Sequence, residues 1–166
     1  MSVGAEIKMR RCFADAVYEH MRTNDKIWVI SADMGYKMWD QIRAEFTDRF
    51  INAGAAEQTA LDIAIGLALE GNIPVVYSIT PFLIYRPFES IRNYINRESI
   101  PVKLVGSGRN RDYLADGFSH WAQEDKDVMA IFKNICSLWP ETNEEIPALV
   151  REMIATNKPY YINLKK

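Results

Sequence analysis

The sequence predicts an α/β protein: a three-layer α/β/α sandwich around a mostly parallel sheet of about six strands. Short runs of consecutive apolar residues, many of them β-branched, recur along the chain and are typical of strands buried on both faces. Segments with apolar residues at helical spacing separate these runs. Because strands that alternate with helices through short connections pair in parallel, we expect the 166 residues to form a single domain spanning 1–166.

The first half of the chain contains three predicted helices and two predicted strands. Apolar residues three or four positions apart define the helices, and unbroken apolar runs define the strands. The third helix ends before Gly71, which supplies the left-handed conformation common just after a helix. The predicted helices cover 6–22, 38–46 and 57–70, and the strands cover 27–30 and 49–52.

The second half continues the alternation and contains one long irregular segment. Residues 106–119 have no periodicity, and loops of this length are often functional. Pro87 interrupts a helical pattern, so we expect that helix to begin near it. The predicted strands are 75–79, 102–105, 135–138 and 160–164, and the helices are 82–97, 121–132 and 143–156.

Composition excludes several classes of protein. The chain is 48% hydrophobic and 25% charged with a net charge of −2, so no basic surplus indicates nucleic-acid binding. No apolar run approaches the ~20 residues of a membrane span, and the amino terminus lacks a signal-like run. We therefore expect a cytoplasmic protein with no membrane partner, in which Cys12 and Cys136 are buried, reduced thiols.

Glu57 opens the predicted helix over 57–70 and leads its apolar stripe. One interpretation is a first-turn glutamate that stabilises the helix terminus electrostatically by ~0.3–1 kcal/mol. The other is a partly buried carboxylate, its pKa raised by desolvation, which exchanges a proton with a bound heterocycle. Spacing alone favours the first interpretation.

Phe82, Tyr85 and Phe88 recur every three residues in a segment that also contains Pro81 and Pro87. Rings at this spacing can share one face and clasp a flat ligand by stacking. A core aromatic stripe is the common alternative. The two prolines make the segment irregular, which favours a shaped pocket.

His120 ends the long loop, just after Asp116. A histidine there could bind a substrate hydroxyl or move a proton, or it could cap the next helix. With Glu124 it makes two metal ligands and no third, so we expect no metal site. Gly106 and Gly108 resemble half of a dinucleotide fingerprint, which leaves a nucleotide-binding domain as a weak third hypothesis.

Several segments, taken in chain order, resemble the pyrimidine-binding (middle) domain of transketolases, and together they cover nearly the whole chain. Residues 31–35 resemble the family motif SADL, 52–58 resemble xxGIAEQ, and 64–71 resemble AAGLALxG. Residues 80–93 resemble FxxFLxRAxDQIRN, and 104–107 with 116–125 resemble LVGS…DGxTHQxxED. Residues 159–164 resemble the closing strand of the domain.

The resemblance implies a role for each matching residue. Glu57 would be the catalytic glutamate that bonds N1′ of the aminopyrimidine of thiamine diphosphate, favouring the imino tautomer that removes the thiazolium C2 proton. The rings of Phe82, Tyr85 and Phe88 would surround the pyrimidine. The remaining implied contacts are Asp33 near the cofactor at the subunit interface, Asp116 and His120 at the sugar, and Arg10 or Arg11 with Lys37 and Lys166 at a sugar phosphate.

The departures from the family pattern are equally informative. The 166 residues contain no GDG…N pattern of the diphosphate-binding domain, and we expect no counterpart of the family's C-terminal domain. A histidine expected early in the substrate loop is replaced by Gly108 or a neighbour. The cofactor's diphosphate needs a divalent cation and backbone donors. The resemblance therefore implies a partner subunit that holds Mg²⁺ (or Ca²⁺), in a heterotetramer with two copies of each chain.

The expected function is that of a split transketolase subunit, which moves a two-carbon ketol unit between sugars with thiamine diphosphate as electron sink. We expect these sugars to be phosphorylated. One alternative is a subunit of a related enzyme that decarboxylates a 2-oxo acid; Asp116 and His120 favour sugar chemistry. Another is a non-catalytic interaction subunit of the same fold, against which Glu57 argues.

Overall fold

A computed structural model of the chain describes residues 8–166. The first predicted helix extends to residue 6, and its first two residues lie outside the described part. The helices are α1 (Met9–Met21), α2 (Asp40–Glu45), α3 (Glu57–Leu69), α4 (Thr80–Tyr85), α5 (Phe88–Ser90), α6 (Asp125–Ala130) and α7 (Ile146–Ala155). The strands are β1 (Ile27–Ser31), β2 (Phe50–Asn52), β3 (Ile73–Ile79), β4 (Lys103–Ser107), β5 (Cys136–Leu138) and β6 (Tyr160–Leu164).

The six strands form one parallel sheet in the order β2-β1-β3-β4-β6-β5. The register aligns Val75 of β3 with Val29 on one side and Lys103 on the other. Strands buried on both faces need apolar residues at successive positions, and β3, β4 and β6 are buried almost throughout. The predicted α/β fold with about six strands is confirmed.

Two hydrophobic clusters, one on each face of the sheet, make the three layers. The first packs α1, α2 and α7 against Tyr77, Val105 and Ile162. The second packs α3, α4 and α6 against Val76 and Leu104 with Tyr161. Neighbouring residues on a strand enter opposite clusters because side chains alternate across a sheet. We call these sides the α1 face and the α3 face.

Two element boundaries differ from the prediction around prolines. Strand β3 begins at Ile73 and includes Pro74, which pairs in register with Trp28. The helix expected over 82–97 is three pieces: α4, α5 and a π-helical stretch, Ile91–Arg97. Pro81 lies in the first turn of α4, where proline is tolerated. Pro87 separates α4 from α5, because proline has no backbone N–H to donate to the hydrogen bonds of a helix interior.

The prediction that both cysteines are buried is wrong for Cys136 and only partly met by Cys12. Cys136, at the edge strand β5, is exposed, whereas Cys12 on α1 is half-buried, and both are free thiols. Burial raises the pKa of each thiol, with nearby carboxylates adding to the effect. Within residues 8–166, no helix is long and apolar enough to cross a membrane.

Candidate functional site

The carboxyl ends of the parallel strands form one edge of the sheet, where ligands bind in folds of this class. The chain leaves β1 toward α2 on the α1 face and leaves β3 toward α4 on the α3 face. Adjacent strands with connections on opposite faces open a crevice between them. We call this side the carboxyl edge; of the sequence-predicted site residues, Glu57, Phe82, His120 and Arg10 lie along it.

Glu57 is a buried carboxylate at the start of α3, with 3% of its surface exposed. Its Oε1 accepts a hydrogen bond of 2.9 Å from Ser78 Oγ, at the end of β3. Its Oε2 accepts from the Arg86 guanidinium. A buried carboxylate is stable only when its oxygens are satisfied, and these two donors satisfy them. Burial to this extent exceeds what a helix-terminus role requires, so the helix-terminus interpretation does not account for the position of this carboxylate.

Arg86 was missed by the sequence analysis. It follows α4 directly, and its side chain is 45% exposed while the Glu57 side chain is 2% exposed. The Arg86 Cζ lies 3.9 Å from the centre of the Phe82 ring, which is cation–π geometry. The signal that could have revealed it is the arginine of FxxFLxRAxDQIRN, which falls on Arg86 in the segment 80–93.

The three aromatic residues of that run have different surroundings. Phe82 is half-buried and meets the His120 ring edge to face, with the ring centres 4.9 Å apart. Tyr85 is 40% exposed, and burial together with the Glu124 carboxylate raises its pKa to about 12. Phe88 packs on the core residue Phe132 at 5.3 Å. Phe82 and Tyr85 thus lie at the carboxyl edge. Phe88 instead packs against the core, as the alternative interpretation of a core aromatic stripe predicts.

His120 lies in a short 3₁₀ turn, Phe118–His120, at the end of the long loop. Besides Phe82, its ring faces Tyr113 at 6.2 Å between centres, and its Nδ1 is 3.0 Å from Ser119 Oγ. The Tyr113 hydroxyl is 2.8 Å from Ser107 Oγ, at the end of β4. His120 therefore links the α4 aromatic residues to the residues at the end of β4.

Arg10, on α1, completes a continuous path across the carboxyl edge. Its Nη1 donates to Ser107 Oγ at 3.4 Å and to Tyr113 Oη at 3.3 Å. Among residues 8–166, Arg10 Nε is one of few buried side-chain polar atoms without a hydrogen-bond partner. The path runs, contact by contact, through Glu57, Arg86, Phe82, His120, Tyr113 and Arg10.

The path has two ends, which lie on opposite faces of the sheet. We call Glu57, Ser78, Phe82 and Arg86 the carboxylate end. We call Arg10, Arg11, Lys37 and Lys8 the cationic end; with Tyr36 and Met38 they line a cavity of ≈190 Å³. Successive side chains on a strand point to opposite faces of the sheet, and this alternation places the two ends of the path on opposite faces. Ser78 of β3 bonds to α3 on one face, whereas Ser107, one register position further along β4, bonds to α1 on the other.

Of the other predicted site residues, Asp33, Lys37 and Asp116 are exposed and Arg11 is half-buried. Arg11 donates to the Lys37 carbonyl at 3.1 Å, and Lys37 has a left-handed backbone, φ 61°. Asp33 is also left-handed, φ 50°, and its N–H donates to Asn52 Oδ1. Asp116 is exposed in a short turn, Leu114–Asp116. Left-handed conformations at non-glycine residues concentrate at functional sites.

A buried polar network below the loop was also missed by the sequence analysis. Arg109 is 7% exposed and donates to the Pro140 and Asn163 carbonyls at 2.9 and 2.7 Å. Asn163 Nδ2 donates to Asp125 Oδ2 at 2.8 Å, and the Tyr161 hydroxyl donates to the same oxygen at 2.9 Å. Fully satisfied networks of this kind are rigid, so this one fixes the loop's ends on the sheet.

The two glycines of the half fingerprint are explained by packing. A Cβ on Gly106 would lie 2.6 Å from Thr80 Oγ1, and one on Gly108 would lie 2.4 Å from the Tyr113 ring. Neither glycine opens a helix, as a dinucleotide fingerprint requires. Within residues 8–166, no three His, Cys, Asp or Glu side chains are arranged to hold a metal ion.

Comparisons with known proteins identify the family. The family model described as the transketolase pyrimidine-binding domain matches residues 5–166. The putative transketolase C-terminal section of Methanocaldococcus jannaschii is 28% identical over 159 residues, which are 95% of this chain and 50% of that protein. One of the subunits of the apulose-4-phosphate transketolase of Actinobacillus succinogenes is 34% identical over 120 residues, 72% of this chain and 39% of that one.

Among solved structures, a split-gene transketolase described as an inactive beta4 tetramer is similar throughout the fold. The TM-score is 0.84 at 30% identity, over 97% of this chain and 52% of that one. The chain thus spans about half the length, or less, of each of these relatives.

Proposed function

The chain belongs to the transketolase pyrimidine-binding domain family, and from this premise we propose that it is one subunit of a split, thiamine-diphosphate-dependent transketolase. With a partner subunit that binds the diphosphate, it would transfer a two-carbon ketol unit between sugars. We propose a heterotetramer with two copies of each chain, because the site needs both kinds of domain.

The observation that carries the proposal is the Glu57 carboxylate. It is buried at the carboxyl edge, its Oε2 accepts from the half-exposed Arg86, and the Arg86 guanidinium lies over the planar ring of Phe82. A buried carboxylate next to a stacking surface is what a protonated or hydrogen-bonding heterocycle requires. Glu57 and Phe82, with Ser78 bonded to the carboxylate, therefore fit an aminopyrimidine.

Thiamine diphosphate, when bound, supplies an electron sink for cleavage of the ketose carbon–carbon bond. In this proposal Glu57 holds the pyrimidine through its N1′ atom, and Ser78 keeps the carboxylate in place from below. Phe82 and Tyr85 stack around the ring, with Asp33 near the cofactor. The Tyr85 phenol, with a pKa of about 12, remains protonated at neutral pH and acts as a hydrogen-bond donor.

The diphosphate and its cation, Mg²⁺ or Ca²⁺, are assigned to the partner subunit. A diphosphate needs a hard cation with oxygen ligands and backbone donors. The matched family model is that of the pyrimidine-binding half, and the chain spans about half of its relatives. A complementary chain would supply the remaining half.

The sugar would lie between the two ends of the path. His120 is half-buried next to Phe82 and can exchange a proton or a hydrogen bond with a hydroxyl. Asp116 is placed on the same loop. The cationic end, with Arg10, Arg11 and Lys37, is suited to a phosphate group, which favours a phosphorylated sugar. Lys166 lies nearby, with its Nζ 4.3 Å from the Tyr113 ring centre.

Replacing Glu57 tests the proposal. In the complex assembled with the diphosphate-binding chain, we expect Glu57→Gln to lower kcat by ~10²–10⁴-fold, since it removes a proton-exchanging group. The measurement is the rate of formation of the shortened aldose from a ketose phosphate donor and an aldose acceptor. Glu70→Gln, the same change at an exposed position just beyond the far end of α3, is the matched control and should leave the rate unchanged.

A Glu57→Gln rate within about twofold of the wild-type rate would contradict a catalytic role and favour a non-catalytic interaction subunit. A second assay separates the related reaction class. Release of CO₂ from pyruvate by the same complex, without ketol transfer, would favour the 2-oxo-acid alternative.

A further inference from the structure

Arg86 contacts both groups of the carboxylate end that an aminopyrimidine would need, the Glu57 carboxylate and the Phe82 ring. Its guanidinium bonds Glu57 Oε2, while Oε1 is already committed to Ser78. Its Cζ also lies 3.9 Å from the centre of the Phe82 ring. One side chain therefore covers the outward carboxylate oxygen and the stacking surface together.

The guanidinium resembles an aminopyrimidine in the properties that matter at this site. Both are planar and delocalised, both donate hydrogen bonds in the plane to a carboxylate, and both stack on aromatic rings. The Phe82 ring has little surface to share, because His120 meets it edge to face at 4.9 Å. Two planar groups cannot stack on the same part of the ring and bond the same oxygen.

We propose that Arg86 competes with the cofactor's aminopyrimidine for Glu57 and Phe82, so that the cofactor binds only after the guanidinium has moved outward. This inference rests on the proposed function and adds a residue that sets cofactor affinity. Arg86 matches the arginine of the 80–93 segment, but the resemblance implied no role for it.

The position of Arg86 allows this movement. It lies between α4 and α5, where Pro87 interrupts the helix, and its side chain is 45% exposed. The exposed guanidinium can move into water, and the pyrimidine would then take over its hydrogen bond to the buried Glu57 Oε2, which needs a donor. If the paired arrangement is favoured about tenfold, the apparent affinity for the pyrimidine falls by the same factor.

The test is titration of the 166-residue chain with 4-amino-5-hydroxymethyl-2-methylpyrimidine, the pyrimidine half of the cofactor, which lacks the diphosphate. By calorimetry we expect Arg86→Met to bind it about tenfold more tightly than wild type, and Arg86→Lys to be intermediate. Arg92→Met is the matched control, because Arg92 is exposed and its bond is to Asn93. Its affinity should equal that of wild type.

A second readout uses wild type alone, so it remains decisive if Arg86→Met does not fold. The ¹⁵N–¹H signal of Arg86 Nε should shift with pyrimidine saturation and approach that of an exposed arginine. An unshifted signal at saturation overturns the competition. So does an Arg86→Met affinity equal to or weaker than wild type, and in both cases the proposed function stands.

Absence of pyrimidine binding in wild type and in every variant overturns the competition and also removes support for the carboxylate end as a pyrimidine site. Activity of the assembled complex in the Glu57 assay is a separate measurement. The failure of the inference is therefore distinguishable from the failure of the proposed function.

Discussion

Lys103 is the first residue of β4 and carries its ammonium into the protein, with 1% of its surface exposed. The Nζ donates to the Thr156 carbonyl at 2.9 Å and to the Lys158 carbonyl, which lie just beyond the end of α7. Desolvation by burial lowers the pKa of Lys103 to about 8. The charged form is thus disfavoured in the folded chain relative to the unfolded chain.

This pKa predicts how stability depends on pH. Between pH 8 and the ordinary lysine value of 10.5, the unfolded chain retains a proton that the folded chain loses. Stability contributed by this residue therefore rises with pH across that window, by roughly 1–3 kcal/mol. Urea unfolding at several pH values should show this rise in wild type relative to Lys103→Met.

Lys133→Met is the control for the loss of a lysine, since Lys133 is exposed. The other titrating groups are the same in wild type, Lys103→Met and Lys133→Met, so the comparison isolates the contribution of Lys103 to the pH dependence of stability. We expect Lys133→Met to follow the wild-type profile. Parallel profiles for wild type and Lys103→Met would contradict the assignment of a desolvated ammonium.

At the scale of elements, the contact between β4 and α4 positions the carboxylate end. Thr80, the first residue of α4, is fully buried and donates to the Gly108 carbonyl at 2.8 Å. Gly106 leaves room for it, because a Cβ there would lie 2.6 Å from Thr80 Oγ1 and 3.3 Å from the Tyr161 hydroxyl. The start of α4 therefore depends on a glycine in the neighbouring strand.

Gly106→Ala should lower the free energy of unfolding by roughly 1–3 kcal/mol, because the methyl group has no space to enter. Guanidinium unfolding measures this change. Gly66→Ala is the control with the opposite expected sign, because Gly66 lies on α3 with nothing within 4 Å of its Cβ position. Alanine favours a helix over glycine, so this change should raise the free energy of unfolding by roughly 0.5–1 kcal/mol.

Equal stability of Gly106→Ala and wild type would mean that Thr80 shifts freely, and would argue against a rigid α4. The interruption at Pro87 has a different consequence for the same region. It ends α4 directly after Tyr85 and leaves Arg86 outside any helix, which gives its side chain room to move.

At the scale of the whole molecule, the site spans both outer layers. The carboxylate end belongs to the α3 face, the cationic end belongs to the α1 face, and the path between them crosses the ends of β3 and β4. In the proposed function, these ends handle separate parts of the chemistry: the cofactor and the phosphate of the sugar.

This separation predicts separable kinetic effects. In the assembled complex, Arg10→Met should raise KM for a phosphorylated ketose by ~10–100-fold, with little effect on an unphosphorylated ketose, since it removes a charged hydrogen bond to the phosphate. Steady-state kinetics with the two donors measures the ratio. Lys26→Met, at the opposite end of β1, is an exposed control of the same charge.

An equal loss of activity with both donors would assign Arg10 a structural role through Ser107 and Tyr113 rather than phosphate binding. Unchanged affinity for the cofactor in Arg10→Met would further support the independence of the two ends.

The sequence by itself determined the fold class, the strand count and the identity of the central glutamate. Unbroken apolar runs and helical spacing are local properties, so they identify β1, β3, β4 and β6 without knowledge of their partners. Family-like segments likewise placed Glu57, Phe82 and His120 at a single site. Their roles stay predictions, because each depends on groups that this chain would bind.

Only the tertiary structure decided which residues complete the site. Arg86 contacts Glu57 across 29 positions, and Arg10 contacts Tyr113 across 103 positions. No local pattern encodes such pairs, because they arise where strand register and side-chain alternation bring separate segments together. The structure likewise separated Phe88 from Phe82 and Tyr85, since the break at Pro87 turns the third ring toward Phe132 and the core.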